Sequence, residues 1–349
     1  MACSVKILSE LPGVSGCENS IRRYILSQLE GNCDSVNINS MGSITALKRG
    51  RSSEKTVMIC TGIAEPGFIV SGITDKGYIK FKAVGRPDVR TIVSKRVLVD
   101  GRIKGVIGMK AIHLQKKSER EAAPEISSLY IDIGCKSKAE AEKIIKLGDY
   151  ISFDSSFCDN GTSYMGKALN RIGIAALLDA VECAPAYDTY FVFAAQCCVP
   201  DKVPGRGLKT AVAGISTDYA LVIDTVNADD VYSIKKRPHI CALGSGAAVV
   251  NMDKTCIHDV LFTNALVSAA ERCAISVQQI TAPSDISIAG AVMNCGTVTA
   301  AAGVPCRYLN SPVNIVNKKD MNYLTQLCRL FIQESDVIID GITQKTDRG

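Results

Sequence analysis

The 349 residues carry 40 Lys and Arg against 35 Asp and Glu, a formal charge of +5 that is mild for this length and argues against a nucleic-acid face. Apolar residues make up 47% and charged residues 21%, ordinary globular usage that excludes disordered and fibrous classes. A chain this long buries a sizeable core without staples, and its length favours about two domains.

The basic clusters, Lys116-Lys117 and Lys235-Lys236-Arg237, lack interleaved aromatics and read as solvated surface. Fifteen cysteines is an odd count, and Cys60, Cys183, Cys273 and Cys328 lie inside apolar patterns. They read as small buried hydrophobes in a reducing compartment rather than a disulfide framework. The first residues show no basic segment followed by an apolar one, and no stretch reaches the length of a membrane span, so a cytoplasmic protein is expected.

In chain order, the Gly-rich turn Leu11-Pro-Gly-Val-Ser-Gly16 precedes a helical stripe over Ser20 to Leu29. A strand pair, Val36 to Ile38 and Ser43 to Lys48, leads to a short apolar strand, Thr56 to Cys60, that ends on Thr61-Gly62-Ile63-Ala64-Glu65. From Gly67 to Phe157 short alternating runs separated by Thr74-Asp-Lys-Gly77 and Asp100-Gly101 predict a small antiparallel barrel or sandwich. One helix interrupts it, opened by the capping box Ser137-x-x-Glu140 and closed at Gly148.

After Asn160 the helix-strand texture returns. Helices are expected over Arg171 to Cys183, Phe262 to Cys273 and Asp320 to Phe331, and strands over Tyr190 to Cys198 and Tyr219 to Ile223. Three buried strands thus deliver Gly62-Ile63-Ala64, Cys197-Cys198 and Asp224 to their carboxyl ends, where ligands sit in open α/β sheets. Leu243-Gly-Ser-Gly246 lacks the third spaced glycine of a dinucleotide fingerprint and reads as a tight turn. Ser284-Asp285 fits a cap or turn at least as well as a functional pair.

The segments Leu11 to Gly16, Gly67 to Gly77, Leu129 to Gly134, Gly166-Lys-Ala-Leu-Asn-Arg-Ile-Gly173 and Arg307-Tyr-Leu-Asn-Ser-Pro-Val313 together resemble the glutamyl aminopeptidase and tetrahedral aminopeptidase family of dinuclear-metal exopeptidases. The resemblance implies a three-layer α/β domain with a central mixed sheet (1–66 and 159–349), interrupted by an inserted small β-barrel of the dimerisation type (67–158). It also implies assembly into a homo-oligomer, a dimer or a larger shell.

The departures bear on chemistry. Relatives are expected to hold two divalent metals, zinc or cobalt, with a His-x-Asp where this chain has Gly62 and Ala64. An acid bridges the metals where this chain has Asn170, two glutamates stand where it has Cys197 and Cys198, and a His stands where it has Asn310. Of the family's ligands only Asp224 remains, so no catalytic residue and no bound metal are expected. The former-site pocket would comprise Gly62, Ala64, Asn170, Cys197, Cys198, Asp224 and Asn310, with Asp224 hydrogen-bonded by Asn170, Asn310 or Arg171.

Two functions follow. One is a non-catalytic pseudo-peptidase subunit that binds small peptides or amino acids or partners active paralogues, with no nucleic-acid or membrane role. The alternative is an active hydrolase with a rebuilt site using Cys197, Cys198 and Asp224, although neighbouring residues on a strand face opposite ways. A Cys-His nucleophile pair is disfavoured, because His113 falls in the inserted domain and His239 and His258 lie outside the stretches assigned to the crevice.

Overall fold

The computed structural model describes residues 2–198, 205–232, 239–253, 256–281, 289–293 and 295–346. In chain order the strands are β1 (Ser35–Ile38), β2 (Ile44–Lys48) and β3 (Ser52–Gly62), then β4 (Gly67–Ile73), β5 (Ile79–Val84), β6 (Arg96–Val99), β7 (Ile103–Gly108), β8 (Tyr130–Asp132) and β9 (Tyr150–Phe153). They continue with β10 (Cys158–Asp159), β11 (Ser163–Gly166), β12 (Tyr187–Ala194), β13 (Tyr219–Asn227), β14 (Ala247–Met252), β15 (Val277–Thr281), β16 (Val298–Arg307) and β17 (Asn314–Asn317).

Strands β4 to β9 close into an antiparallel barrel in the order β4-β5-β8-β7-β6-β9. Its interior holds Phe68 edge-on to Phe81 and Phe153, with ring centroids 4.9 and 5.5 Å away, the preferred aromatic geometry. The other eleven strands form one mixed sheet whose centre, β12-β3-β13-β16, is parallel.

Alternation along these central strands explains the three layers. Val57 and Ile59, Phe191 and Phe193, and Leu221 and Ile223 enter one core with helices Ile172–Val181, Val260–Arg272 and Lys318–Gln333. Their neighbours Met58 and Cys60, Val192 and Ala194, and Ala220 and Val222 enter a second core with helices Arg206–Val212 and Ala289–Met293. A period of two on strands buried on both faces produces these continuous apolar runs. Among the described residues no helix is long and apolar enough to cross a membrane.

Two expectations need correction. The helix after Ser137 spans only Lys138–Ala141. Half of its capping box forms: Ser137 Oγ accepts from Glu140 N, while the Glu140 carboxylate accepts from Lys136 N, one residue before the cap. The Asp149 carboxylate takes Lys146 N at 2.9 Å, an alternative to helix continuation. Cys273 is exposed, because it caps the end of helix Val260–Arg272 instead of lying on its inner face; Cys60, Cys183 and Cys328 are buried.

The fully buried Arg171 ties the layers together. Its guanidinium donates to the carbonyls of Ile63 (3.0 Å), Leu8 (3.0 Å), Leu11 (2.6 Å) and Gly13 (2.9 Å) and lies 3.4 Å from Glu65 Oε1. Gly13 must lack a side chain, since a Cβ there would sit 2.3 Å from Arg171 Nη2. Glu65 also accepts from Gly13 N at 2.9 Å and contacts Lys167 Nζ at 3.4 Å.

Arg171→Leu would remove the guanidinium donor of the Ile63, Leu8, Leu11 and Gly13 carbonyls and one of the two buried cations beside Glu65. It is expected to lower unfolding free energy by about 3–5 kcal/mol, measured by urea denaturation. A loss under about 1 kcal/mol, the value of an exposed ion pair, would contradict this role.

Candidate functional site

The sheet register brings the expected tips to one level. Ala194 at the end of β12 pairs with Gly62 at the end of β3, and Ile223, just before Asp224, pairs with Thr61. Asp224 lies within β13, which runs on to Asn227 beside β16, rather than beyond a strand ending at Ile223.

Strand β12 stops at Ala194, short of the expected Cys198. Gln196 takes a left-handed conformation with φ 50°, and its N–H goes to Glu18 Oε1 at 2.7 Å instead of to a neighbouring strand. Cys198 N donates to Ser15 Oγ at 3.0 Å. The loop after the first helix, Ala2–Glu10, therefore shapes the tip that carries both cysteines, which leave the sheet and are not governed by strand alternation. The two thiols engage different carbonyls: Cys197 Sγ donates to Ala194 O at 3.2 Å, and Cys198 Sγ to Ala64 O at 3.7 Å.

Cys197 packs over Gly62. A Cβ at position 62 would meet Cys197 Cβ at 3.2 Å and its Sγ at 3.3 Å, so the room for a side chain there is already taken. Ala64 is buried, and its carbonyl also accepts from Asn170 Nδ2 at 2.7 Å. Asn170 sits on the 3₁₀ turn Leu169–Arg171 that delivers Arg171. Asn310 has φ 65°, and its carbonyl accepts from Asp88 N of the barrel at 3.0 Å. Glu65, Asn170, Asn310, Ser311 and Asn314 line a cavity of about 10 Å³, room for one water.

Asp224 does not bond to Asn170, Asn310 or Arg171; the Asn170 amide and the Arg171 guanidinium are spent on carbonyls. Its Oδ1 accepts from Thr225 N at 2.8 Å and from Thr225 Oγ1 at 3.5 Å. Burial pushes its carboxyl up from 3.8 to about 7, opposed by these two bonds. Burial likewise pushes Cys198 up to about 12 and raises Cys60 and Cys197 strongly, so the three thiols stay protonated near neutrality. Among the described residues no three His, Cys, Asp or Glu side chains gather so as to hold an ion.

His113 and His239 are exposed, the latter with Nδ1 3.1 Å from Asp229 O. His258 is buried beside Cys256, away from the tips. Leu243–Gly246 forms the expected turn, held by Asp320, whose carboxylate accepts from Gly244 N and Gly246 N. Ser284-Asp285 and Lys235-Lys236-Arg237 lie outside the described residues. Sequence reasoning missed Ser15, Glu18 and Lys167; the available signals were the polar residues in and just after the Gly-rich turn and the lysine in Gly166-Lys-Ala-Leu-Asn-Arg.

The family model for M42 glutamyl aminopeptidase matches residues 42–327. The chain belongs to the M42 glutamyl aminopeptidase family. A putative aminopeptidase of Acetivibrio thermocellus is 30% identical over 328 residues, covering 93% of this chain and 96% of the relative. Among solved structures, a TET aminopeptidase from Thaumarchaeota archaeon SCGC AB-539-E09 superposes with a TM-score of 0.91 at 28% identity, covering 98% of each chain. The TET1 peptidase of Pyrococcus horikoshii, described as assembling into a tetrahedron or a large octahedral shell, gives a TM-score of 0.83 at 25% identity, covering 95% of this chain and 99% of that one. The M42 fold thus accounts for both the mixed sheet and the barrel.

The raised carboxyl of Asp224 makes this M42 protein's stability pH-dependent. The neutral form is favoured in the native state, so its stabilisation is complete below about pH 4 and is lost as pH rises to about 7. Asp224→Asn cannot ionise, and its melting temperature relative to wild type should climb across that window in a pH series. An offset that stays flat from pH 4 to 8 would contradict the raised value.

Proposed function

We propose that this chain is a non-catalytic M42 homologue, a pseudo-peptidase subunit that keeps the scaffold and has given up hydrolysis. The observation that carries this reading is the donor set at the strand tips: Asp224 is the one carboxylate at a position the resemblance assigns to a ligand, Glu65 is held by Arg171 and Lys167 and Glu18 by the Gln196 N–H, the thiols are protonated, and Gly62 and Ala64 offer no side-chain donor. A dinuclear hydrolytic site polarises the scissile carbonyl and readies a hydroxide, and it needs roughly three protein ligands per metal. The donors present do not fit a pair of divalent ions, and Cys197 fills the space above Gly62 from which a ligand would have to project. The two glutamates that the resemblance places at 197 and 198, one of them the general base worth about 10² to 10⁴ in rate, are cysteines here.

A rebuilt hydrolase using Cys197 or Cys198 needs a thiolate, and burial weighs against one. Among the described residues Asp224 has no cation in its hydrogen-bonding shell. The crevice is therefore read as a binding site for small peptides or amino acids. By analogy with the assembling relatives, the chain forms a homo-oligomer, a dimer or a larger shell, in the cytoplasm, alone or with active paralogues.

Protein purified without chelator and analysed by plasma mass spectrometry should contain well under one zinc or cobalt per chain, and leucine and glutamate arylamides should not turn over. Two tightly held ions per chain, with turnover abolished by a chelator, would overturn the reading.

A further inference from the structure

A groove opens at the end of the sheet opposite the tips. Val298 at the start of β16 pairs with Tyr219 at the start of β13. Strand β14 arrives there antiparallel to β16 and turns back on itself, His258 N returning to Asn251 O at 3.1 Å. Helix Val260–Arg272 starts directly after the turn, capped by Asp259, whose carboxylate accepts from Phe262 N at 2.7 Å. The groove between them measures about 420 Å³, a size common among small-molecule sites. Its walls are apolar and open to solvent: Ile257 is 67% and Val260 65% exposed, and Leu261 and Met293 are exposed beside them.

The other polar side chains on those walls are spent within the protein. Asp259 is the cap, Thr297 Oγ1 shares a hydrogen bond with Thr217 Oγ1 at 3.2 Å, and Thr299 Oγ1 donates to Thr297 O at 2.9 Å. His258 differs. It lines the groove at 2% exposure, and its Nε2 is buried without a hydrogen bond among the described residues; the Thr299 carbonyl near the ring accepts from Asp259 N at 3.1 Å. The polarity of that nitrogen follows from its ring partner. Cys256 Sγ lies 3.6 Å from His258 Nδ1 and 2.6 Å from Met293 Sδ, and an imidazole nitrogen is a better acceptor than a thioether. Burial pushes the Cys256 thiol up to about 12 and lowers His258, so the thiol keeps its proton and the ring is neutral near pH 7. The thiol hydrogen is directed at Nδ1, and Nε2 carries the ring hydrogen.

We propose that this groove binds a small uncharged molecule with an aliphatic body and one carbonyl oxygen, which accepts from His258 Nε2 beside the start of helix Val260–Arg272. A buried N–H without an acceptor is costly, and the ligand oxygen supplies one. An anionic head would sit near the carboxylates of Asp253 and Asp259, with no Lys or Arg among the described residues lining the groove. A cationic head would meet N–H donors at the positive end of a helix dipole that Asp259 already offsets. The aliphatic body covers Ile257, Val260 and Leu261, apolar surface that is otherwise left in water.

This site is independent of the proposed loss of hydrolysis. The test is isothermal titration calorimetry of the full chain with three probes of one carbon-chain length: hexanamide, hexanoate and hexylamine. Hexanamide should bind saturably, and each charged probe about tenfold or more weakly. Val260→Asp places an acid at the first helical position, where the dipole favours it, so the fold is kept while the groove wall becomes charged; hexanamide affinity should fall about tenfold or more. His258→Phe keeps a ring and removes Nε2, and should weaken hexanamide about three- to tenfold, the worth of one hydrogen bond. Cys273→Ser, at the far end of the same helix, should bind as wild type. No saturable hexanamide binding by wild type, a preference for either charged probe, or unchanged affinity in Val260→Asp would overturn the proposal. So would a Val260→Asp particle of altered mass in light scattering, which would make the groove a contact between copies of the chain.

Discussion

Arg171 is the pin on which the crevice depends. One guanidinium satisfies carbonyls from the first helix, the Gly-rich turn and the exit of β3, and it sits against Glu65. Removing a charge of this kind from water is costly unless every donor is used, and here its donors meet four carbonyls and a carboxylate. The same turn then reaches the tip of β12 through Ser15 and Glu18, so the shape of the crevice is set from the amino-terminal segment rather than by the side chains lining it.

That arrangement separates shape from chemistry. The groups that hold the tips are backbone carbonyls, an arginine, a lysine and two glutamates, and none of them would need to change if the ligands of a metal pair were lost. On the proposed function Gly62 and Cys197 would accommodate such a loss: Cys197 lies 3.2–3.3 Å from where a Cβ at 62 would stand and packs against the second core. Cys197 thus behaves as a small hydrophobe, as thiols do once buried.

The fold was legible because its signals are local and repeated. Alternation on β3, β12 and β13, the turn residues of the barrel and five motifs in order each point to the same architecture, which is how a consistent sequence specifies a structure. What stayed hidden depends on long-range competition. The end of β12 moved from Cys198 to Ala194 because Glu18, 178 residues away, captures the N–H of Gln196. The partner of Asp224 proved to be its neighbour Thr225, since Asn170 and Arg171 are spent on carbonyls. Cys256, His258 and Met293 meet only through the fold, and no spacing in the chain announces them.

Zinc-edge anomalous diffraction from crystals grown with a zinc salt tests the central claim most directly, because it locates ions without reference to activity. The crevice beside Asp224 should show no pair of peaks. Two strong peaks about 3.5–4 Å apart, bridged by groups at the tips of β3, β12 and β13, would contradict it and restore this chain to the metal-dependent members of its family.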